Sequence, residues 1–96
     1  MFYALDDHTR VAYLEVPGKF VVLLQAFFEL YEGVGIVRTL DIRRSLVSIL
    51  VPTALENDCK EILNAIRGQV PWRLIDPPDI ADRFLGYHRK GGLSDA

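Results

Sequence analysis

The chain has 96 residues, which is enough for one domain with a single core and too short for two. Hydrophobic residues make up 50% of it, which excludes an intrinsically disordered chain, and the net charge of −2 does not favour nucleic acid as a partner. The one cysteine, Cys59, cannot form an internal disulfide. No apolar stretch is long enough to span a membrane and the first residues lack a secretion signal, so we expect a cytoplasmic protein without a membrane partner.

Hydrophobic periodicity predicts a β-α-β-β-α-β order, the split βαβ arrangement of ferredoxin-like domains. In chain order the elements are a strand over 10–16, a helix over 18–32, hairpin strands over 35–41 and 45–51, a helix over 53–67 and a strand over 70–76. We therefore expect an α+β domain over 10–76, with a mostly antiparallel sheet and two helices on one face. Residues 1–9 would form an extension or an extra strand, and residues 77–96 a short helix and a loose tail.

The first predicted helix has an unusually wide apolar stripe. A surface helix needs a stripe of roughly 100°, whereas the apolar residues here cover about 180° of the helix circumference. These residues are Phe20, Val21, Leu23, Leu24, Phe27, Phe28, Leu30 and Tyr31. The extra width predicts that this helix contacts more than the sheet beneath it.

The predicted hairpin register separates the side chains beneath the helices from those on the opposite face. With residues 42–44 as a three-residue connection, Thr39 lies opposite Val47 and Asp41 lies opposite Ser45. Six apolar residues then share the face away from the helices: Val11, Tyr13, Ile36, Leu40, Leu46 and Leu50. Together they predict an apolar patch at or above the upper range that monomers expose to water.

We predict that this open face of the sheet is the interface of a homodimer. Its principal residues would be Tyr13, Ile36, Leu46 and Leu50. One alternative stays open at this point, because the C-terminal segment could fold back over the same face within one chain. That segment carries the apolar residues Ile80, Phe84, Leu85 and Tyr87.

The second predicted helix begins with a capping signal. Thr53-Ala-Leu-Glu56 is the pattern of a capping box, in which each of the two polar side chains bonds an unpaired amide of the first turn. Cys59 lies within the apolar stripe of this helix, together with Leu55, Ile62 and Ile66. A cysteine in such surroundings packs as a small apolar residue, so we predict that Cys59 is structural and unreactive.

No combination of residues in the sequence has the spacing that is typical of a catalytic or metal-binding site. Asp6, Asp7 and His8 are adjacent, and adjacent side chains rarely point at one metal ion, so a solvent-exposed turn is the simpler interpretation. The strand over 45–51 lacks the aromatic residues that RNA binding by such a sheet requires. We therefore expect a protein that is not an enzyme, with no catalytic residues, no metal, no cofactor and no nucleic-acid partner.

Gly18 and Lys19 form the best candidate for a ligand site. A turn that contains glycine leads into the start of the first helix, where free amides and the helix dipole favour an anion. Lys19 adds a positive charge at the same place. The alternative is that these residues only begin the helix, because every helix start shares this property.

Two resemblances bear on fold and function. The opening Leu-Glu-Val-Pro-Gly-Lys-Phe-Val-Val-Leu-Leu, with the β-α-β-β-α order over 10–76, resembles an ACT-type regulatory domain. That likeness implies sensing of an amino acid or another small metabolite at Gly18 and Lys19, often across a dimer interface. The segment Val-Gly-Ile-Val-Arg-Thr-Leu-Asp (34–41), followed by an apolar strand, Pro52 and an acidic helix, is similar to a small bacterial family known only as a domain of unknown function.

These observations leave three functional hypotheses. The leading one is a non-enzymatic, oligomerising interaction or regulatory module with an ACT-like layout. The main alternative is an ACT-like sensor of an amino acid or another small anionic metabolite, and a further alternative is an accessory subunit of an enzyme. A ligand that raises the melting temperature would favour the sensor over the interaction module.

Overall fold

The structure, a computed structural model, describes residues 2–31 and 33–79. Its elements are β1 (Phe2–Ala4), β2 (Thr9–Glu15), α1 (Val21–Leu30), β3 (Ile36–Asp41), β4 (Leu46–Pro52), α2 (Glu56–Ala65) and β5 (Arg73–Ile75). The described chain is therefore an α+β fold with an antiparallel sheet and two helices. The short helix predicted after residue 76 and the tail beyond it fall almost wholly outside the described residues.

The strands form one sheet in the order β1-β2-β4-β3, and β5 also pairs with β2. The residues of β1 pair with residues 10–12 of β2, while those of β5 pair with residues 13–15. The two short strands therefore lie end to end along one edge of β2. β3 forms the opposite edge of the sheet.

The hairpin between β3 and β4 has the predicted pairing in its strands and a different turn. Thr39 lies opposite Val47, as expected, but a bulge after Thr39 places Asp41 opposite Leu46 rather than Ser45. The turn takes four residues, 42–45, and its last residue has a positive φ of 59°. The Asp41 carboxylate stabilises this longer turn, because its Oδ1 accepts hydrogen bonds from the amides of the two arginines that follow, at 3.0 and 3.3 Å.

Both helices pack against one face of the sheet. Side chains alternate along a strand, so the register of β2 with β4 points Ala12, Leu14, Val47 and Ile49 to the same side. These residues form one core with the inward side chains of the helices, which are Val21, Leu24 and Phe28 of α1 and Cys59, Ile62 and Leu63 of α2. Cys59 is fully buried in this core, as the stripe on its helix indicated.

The opposite face of the sheet is not the exposed apolar patch that the sequence predicted. Of its six apolar residues only Ile36 is exposed, whereas Val11, Tyr13 and Leu46 are buried. Tyr3 of β1 and a residue of β5 pack against this face, and the ring centroids of Tyr3 and Tyr13 lie 6.0 Å apart. The alternative cover, the C-terminal segment, lies outside the described residues.

The capping box at Thr53 and Glu56 is not formed. A short 3-10 turn occupies Thr53–Leu55, α2 begins only at Glu56, and no side-chain hydrogen bond caps either element. The Glu56 carboxylate instead lies 3.1 Å from the Lys60 ammonium and 3.7 Å from the Arg10 guanidinium. The hydroxyl of Thr53 is buried without a hydrogen-bond partner, while its backbone amide donates to the carbonyl of His8 at 2.8 Å.

Replacing Thr53 with valine should therefore stabilise the protein. The change keeps the side-chain shape and removes a buried hydroxyl that forms no hydrogen bond, so we expect the free energy of unfolding to rise by up to about 1 kcal/mol. Urea denaturation of wild type and Thr53→Val would measure the difference. A loss of stability in Thr53→Val would contradict the structure, because it would show that the hydroxyl takes part in a favourable contact.

Candidate functional site

Gly18 and Lys19 lie at the surface, in a 3-10 turn that precedes α1. The turn covers Gly18–Phe20, so α1 itself begins three residues after Gly18. The amide of Phe20 already donates to the carbonyl of Pro17 at 2.8 Å, and the Lys19 ammonium lies 5.5 Å from the Phe20 ring. Gly18 faces the side chain of Ile42 and, slightly farther away, its backbone carbonyl oxygen. An anion site at Gly18 and Lys19 stays a prediction.

The four residues predicted for a dimer interface on the sheet are not equally accessible. Tyr13 and Leu46 are 2% and 6% exposed, so neither has surface to offer a second chain. Leu50 is half-buried, and Ile36 at the edge of the sheet is 60% exposed. An interface on this face would therefore be centred on Ile36 and the edge strand β3.

The outer face of α1, formed by Val22, Leu23, Ala26 and Leu30, is an exposed apolar surface. Val22 is 73% exposed and Leu30 is 76% exposed, and Leu23 and Ala26 are exposed between them. Their spacing of three and four residues places them on one side of the helix, opposite the residues that contact the sheet. α1 is therefore apolar on both sides, which is typical of a helix that is buried all round.

α2 shows the contrast expected of an ordinary surface helix. Its inward residues are apolar, and its exposed residues are polar or charged apart from one alanine: Asn57, Asp58, Lys60, Glu61, Asn64 and Ala65. Both helices cover the same face of the same sheet. The apolar outer face of α1 is therefore a property of that helix and not a general feature of the fold.

A second candidate site is an open groove between α2 and the sheet edge that β1 and β5 form. Its volume is about 630 Å³, and its accessible apolar wall comes from Trp72, just before β5, and Leu74 of β5, whereas Phe2 of β1 and Leu63 of α2, which also line it, are buried. The indole of Trp72 is fixed by a 2.8 Å hydrogen bond from Nε1 to the carbonyl of Leu63. We call this feature the α2–edge groove.

Three cations surround the α2–edge groove, and none of the described residues that line it is acidic. They are Lys60 of α2, Arg67 just after the end of α2, and Arg73 of β5. The residues of this site are distant along the chain, so local patterns in the sequence did not predict it. The sequence did carry one signal of this groove. Lys60 and Arg67 are about two helical turns apart, and Trp72 follows shortly after them.

The histidine, cysteine and acidic side chains of the described residues do not cluster. No three His, Cys, Asp or Glu side chains within residues 2–31 and 33–79 lie close enough together to hold a metal ion. His8 belongs to a turn in which the Asp6 carboxylate accepts hydrogen bonds from the amides of His8 and Thr9, both at 2.8 Å. These bonds, chiefly the one from His8, lower the pKa of Asp6. The three adjacent polar residues therefore form a turn, as the sequence suggested.

Comparison with known proteins identifies a family but no activity. The model of a family described only as a domain of unknown function matches residues 14–70, which include both helices and the β3–β4 hairpin but only the last two residues of β2. No curated protein and no solved structure matches the chain. In the part of the chain that the structure describes, no helix is long and apolar enough to cross a membrane.

Cys59 should make the stability of the protein fall at alkaline pH. Burial, with a smaller effect of the Glu56 charge, raises the pKa of the Cys59 thiol to about 12, whereas an unfolded cysteine ionises near 8.5. Between these two values the unfolded chain loses a proton that the folded chain keeps, so the free energy of unfolding decreases as pH rises. Cys59→Ala lacks this contribution and should cost on the order of 1–2 kcal/mol at neutral pH.

Melting temperatures of wild type and Cys59→Ala between about pH 8 and pH 10 would test this assignment. We expect the difference in melting temperature between the two proteins to become smaller as pH rises. A constant difference, or fast reaction of the native thiol with a labelling reagent at neutral pH, would show that Cys59 is not in the core.

Proposed function

This chain belongs to the DUF4911 family, a domain of unknown function, and we propose that it acts as a non-enzymatic interaction module that forms a homodimer through the outer face of α1. The single observation that carries this proposal is the exposure of an apolar helix face in a chain whose other helix is ordinary and amphipathic. In water such a helix gains stability from a partner that covers it.

The size of the apolar surface favours a second copy as the partner. Val22, Leu23 and Leu30 are 73%, 40% and 76% exposed, which leaves an apolar surface on the order of 300 Å² on one side of the helix. A stable interface buries about 800 Å² on each partner, of which about 56–65% is apolar. The exposed surface of α1 therefore supplies a large share of the apolar part of one side of such an interface.

The arrangement of side chains also suits a symmetric pairing of two α1 helices. Val22, Ala26 and Leu30 are four residues apart and form one ridge along the helix, of the kind that packs into a groove of another helix. In a two-fold arrangement centred on Ala26, the small side chain allows close approach and Leu30 of one copy meets Val22 of the other. The resulting contact would be self-complementary without any change in the fold.

The strand order supports a ferredoxin-like classification, which we include in the proposal. The path β5-β2-β4-β3, with one helix after β2 and the other after β4, is the arrangement expected of the split βαβ motif. This fold carries many unrelated activities, so the classification does not by itself argue for a function. The functional argument therefore rests on the surface of α1.

Sedimentation of the full-length chain would test the dimer. We expect a species of about twice 10.9 kDa at tens of micromolar, and a shift to the monomer in Leu30→Glu, because the substitution places an unpaired charge against Val22 of the other copy within the contact. Leu30 is largely exposed in the single chain, so the melting profile of the separated monomer should show an intact fold.

Ile36→Glu provides the matched control, because Ile36 is also exposed and apolar but lies at the edge of the sheet. We expect this variant to remain a dimer. If Ile36→Glu is a monomer and Leu30→Glu remains a dimer, the interface lies on the sheet and not on α1. A wild-type monomer at these concentrations would reject self-association altogether.

A further inference from the structure

The α2–edge groove combines an apolar interior with a local excess of positive charge, although the whole chain is slightly acidic. The cations at or beside it are Lys60, Arg67, Arg73 and Arg10, and the nearby carboxylates that pair with them are those of Glu56 and Glu15. Four positive charges against two negative charges leave an excess of two. On a chain with a net charge of −2, this local excess distinguishes the groove from the average surface.

Arg67 is the residue best prepared to bind an anion. Its guanidinium carbon lies 3.8 Å from the centroid of the Trp72 ring, so the cation packs against the indole. Packing on the ring uses the flat face of the guanidinium and leaves the N–H donors at its edge for a carboxylate or a phosphate. No carboxylate of the described chain lies within salt-bridge distance of Arg67, in contrast to Lys60 and Arg73.

The indole that supports Arg67 is itself held in place. Its Nε1 donates to the carbonyl of Leu63, in the last turns of α2, so the ring is fixed to the helix at 2.8 Å. The same bond satisfies a carbonyl near the carboxyl end of α2, where a free oxygen would repel an anion. The Arg67 guanidinium therefore has a defined position before any ligand arrives.

The other two cations can contribute without a large rearrangement. Lys60 lies 3.1 Å from Glu56 and Arg73 donates to Glu15 at 3.1 Å, and all four side chains are partly exposed. Exposed ion pairs of this kind contribute little to stability, so exchanging a carboxylate partner for a ligand costs little. Lys60 also lies 5.4 Å from the centroid of the Phe2 ring, at the apolar wall of the groove.

We propose that the α2–edge groove binds a small amphipathic anion, in which a carboxylate or phosphate is attached to an aromatic ring or a short acyl chain. The anionic group would bond the edge of the Arg67 guanidinium, and the apolar body would lie against the half-buried side chains of Trp72 and Leu74. The volume of about 630 Å³ is that of a site for a single small molecule. This site is distinct from the outer face of α1.

Titration with two probes, phenyl phosphate and decanoate, would test the proposal and distinguish the two sources of negative charge. Trp72 is the one tryptophan of the chain, so its fluorescence reports on this groove, and calorimetry provides a second measurement. We expect saturable binding of at least one probe below about 1 mM. The neutral analogues benzyl alcohol and decanol should bind at least about tenfold more weakly because they lack the negative charge. Inorganic phosphate alone should also bind at least about tenfold more weakly because it lacks the apolar body.

Arg67→Gln should weaken binding of the preferred probe by about tenfold or more, measured by calorimetry so that altered Trp72 emission does not enter the comparison. Arg38→Gln is the matched control, since Arg38 is exposed on β3 at the opposite edge of the sheet. It should bind like wild type. Sedimentation of Arg67→Gln should be unchanged, which separates the groove from the proposed dimer.

Three results would overturn the assignment of the groove. The first is equal affinity of wild type and Arg67→Gln for the probe, with both proteins shown to be folded by their melting profiles. The second is equal binding of the charged probes and their neutral analogues, which would indicate an apolar site without anion recognition. The third is the absence of saturation by both probes up to about 1 mM.

Discussion

The seven-residue ladder between β2 and β4 is the constraint on which the rest of this structure depends. Because side chains alternate along a strand, the pairing of Ala12 with Ile49 and of Leu14 with Val47 places all four beneath the helices. A shift by one residue would exchange this set for the residues of the opposite face. The ladder also leaves one edge of β2 to the short strands β1 and β5, and the α2–edge groove lies between these strands and α2.

The same constraint explains why α1 is the unusual element. The sheet can cover only one side of each helix, and in the described chain the outer face of α1 has no apolar partner. Its residues keep the spacing of an interface, and the inward side chains, Val21, Leu24 and Phe28, form the core. Because α1 is apolar on two sides and the sheet covers only one of them, the other side is available to another molecule. This is the basis of the proposed dimer.

The parts of the fold that local patterns encode were predicted from the sequence, and the parts that depend on distant residues were not. The antiparallel sheet with its two helices and the pairing of Thr39 with Val47 follow from periodicity. The bulge beside Asp41 follows from bonds of one carboxylate to two amides, which periodicity does not describe. The box at Thr53 did not form, because a 3-10 turn occupies Thr53–Leu55 and the Glu56 carboxylate pairs with Lys60 and with Arg10, the latter from a strand more than forty residues earlier. The α2–edge groove likewise depends on residues from both ends of the described chain.

Disulfide trapping of α1 against itself would test the proposed interface most directly. In a Cys59→Ala background, Ala26→Cys should form a cross-linked dimer under mild oxidation, because helices that cross at this residue bring its two copies within disulfide range. Ala4→Cys, an exposed alanine at the far edge of the sheet, is the matched control and should remain monomeric on a denaturing gel. Absence of the cross-link at residue 26, or equal cross-linking at both positions, would contradict an interface formed by α1.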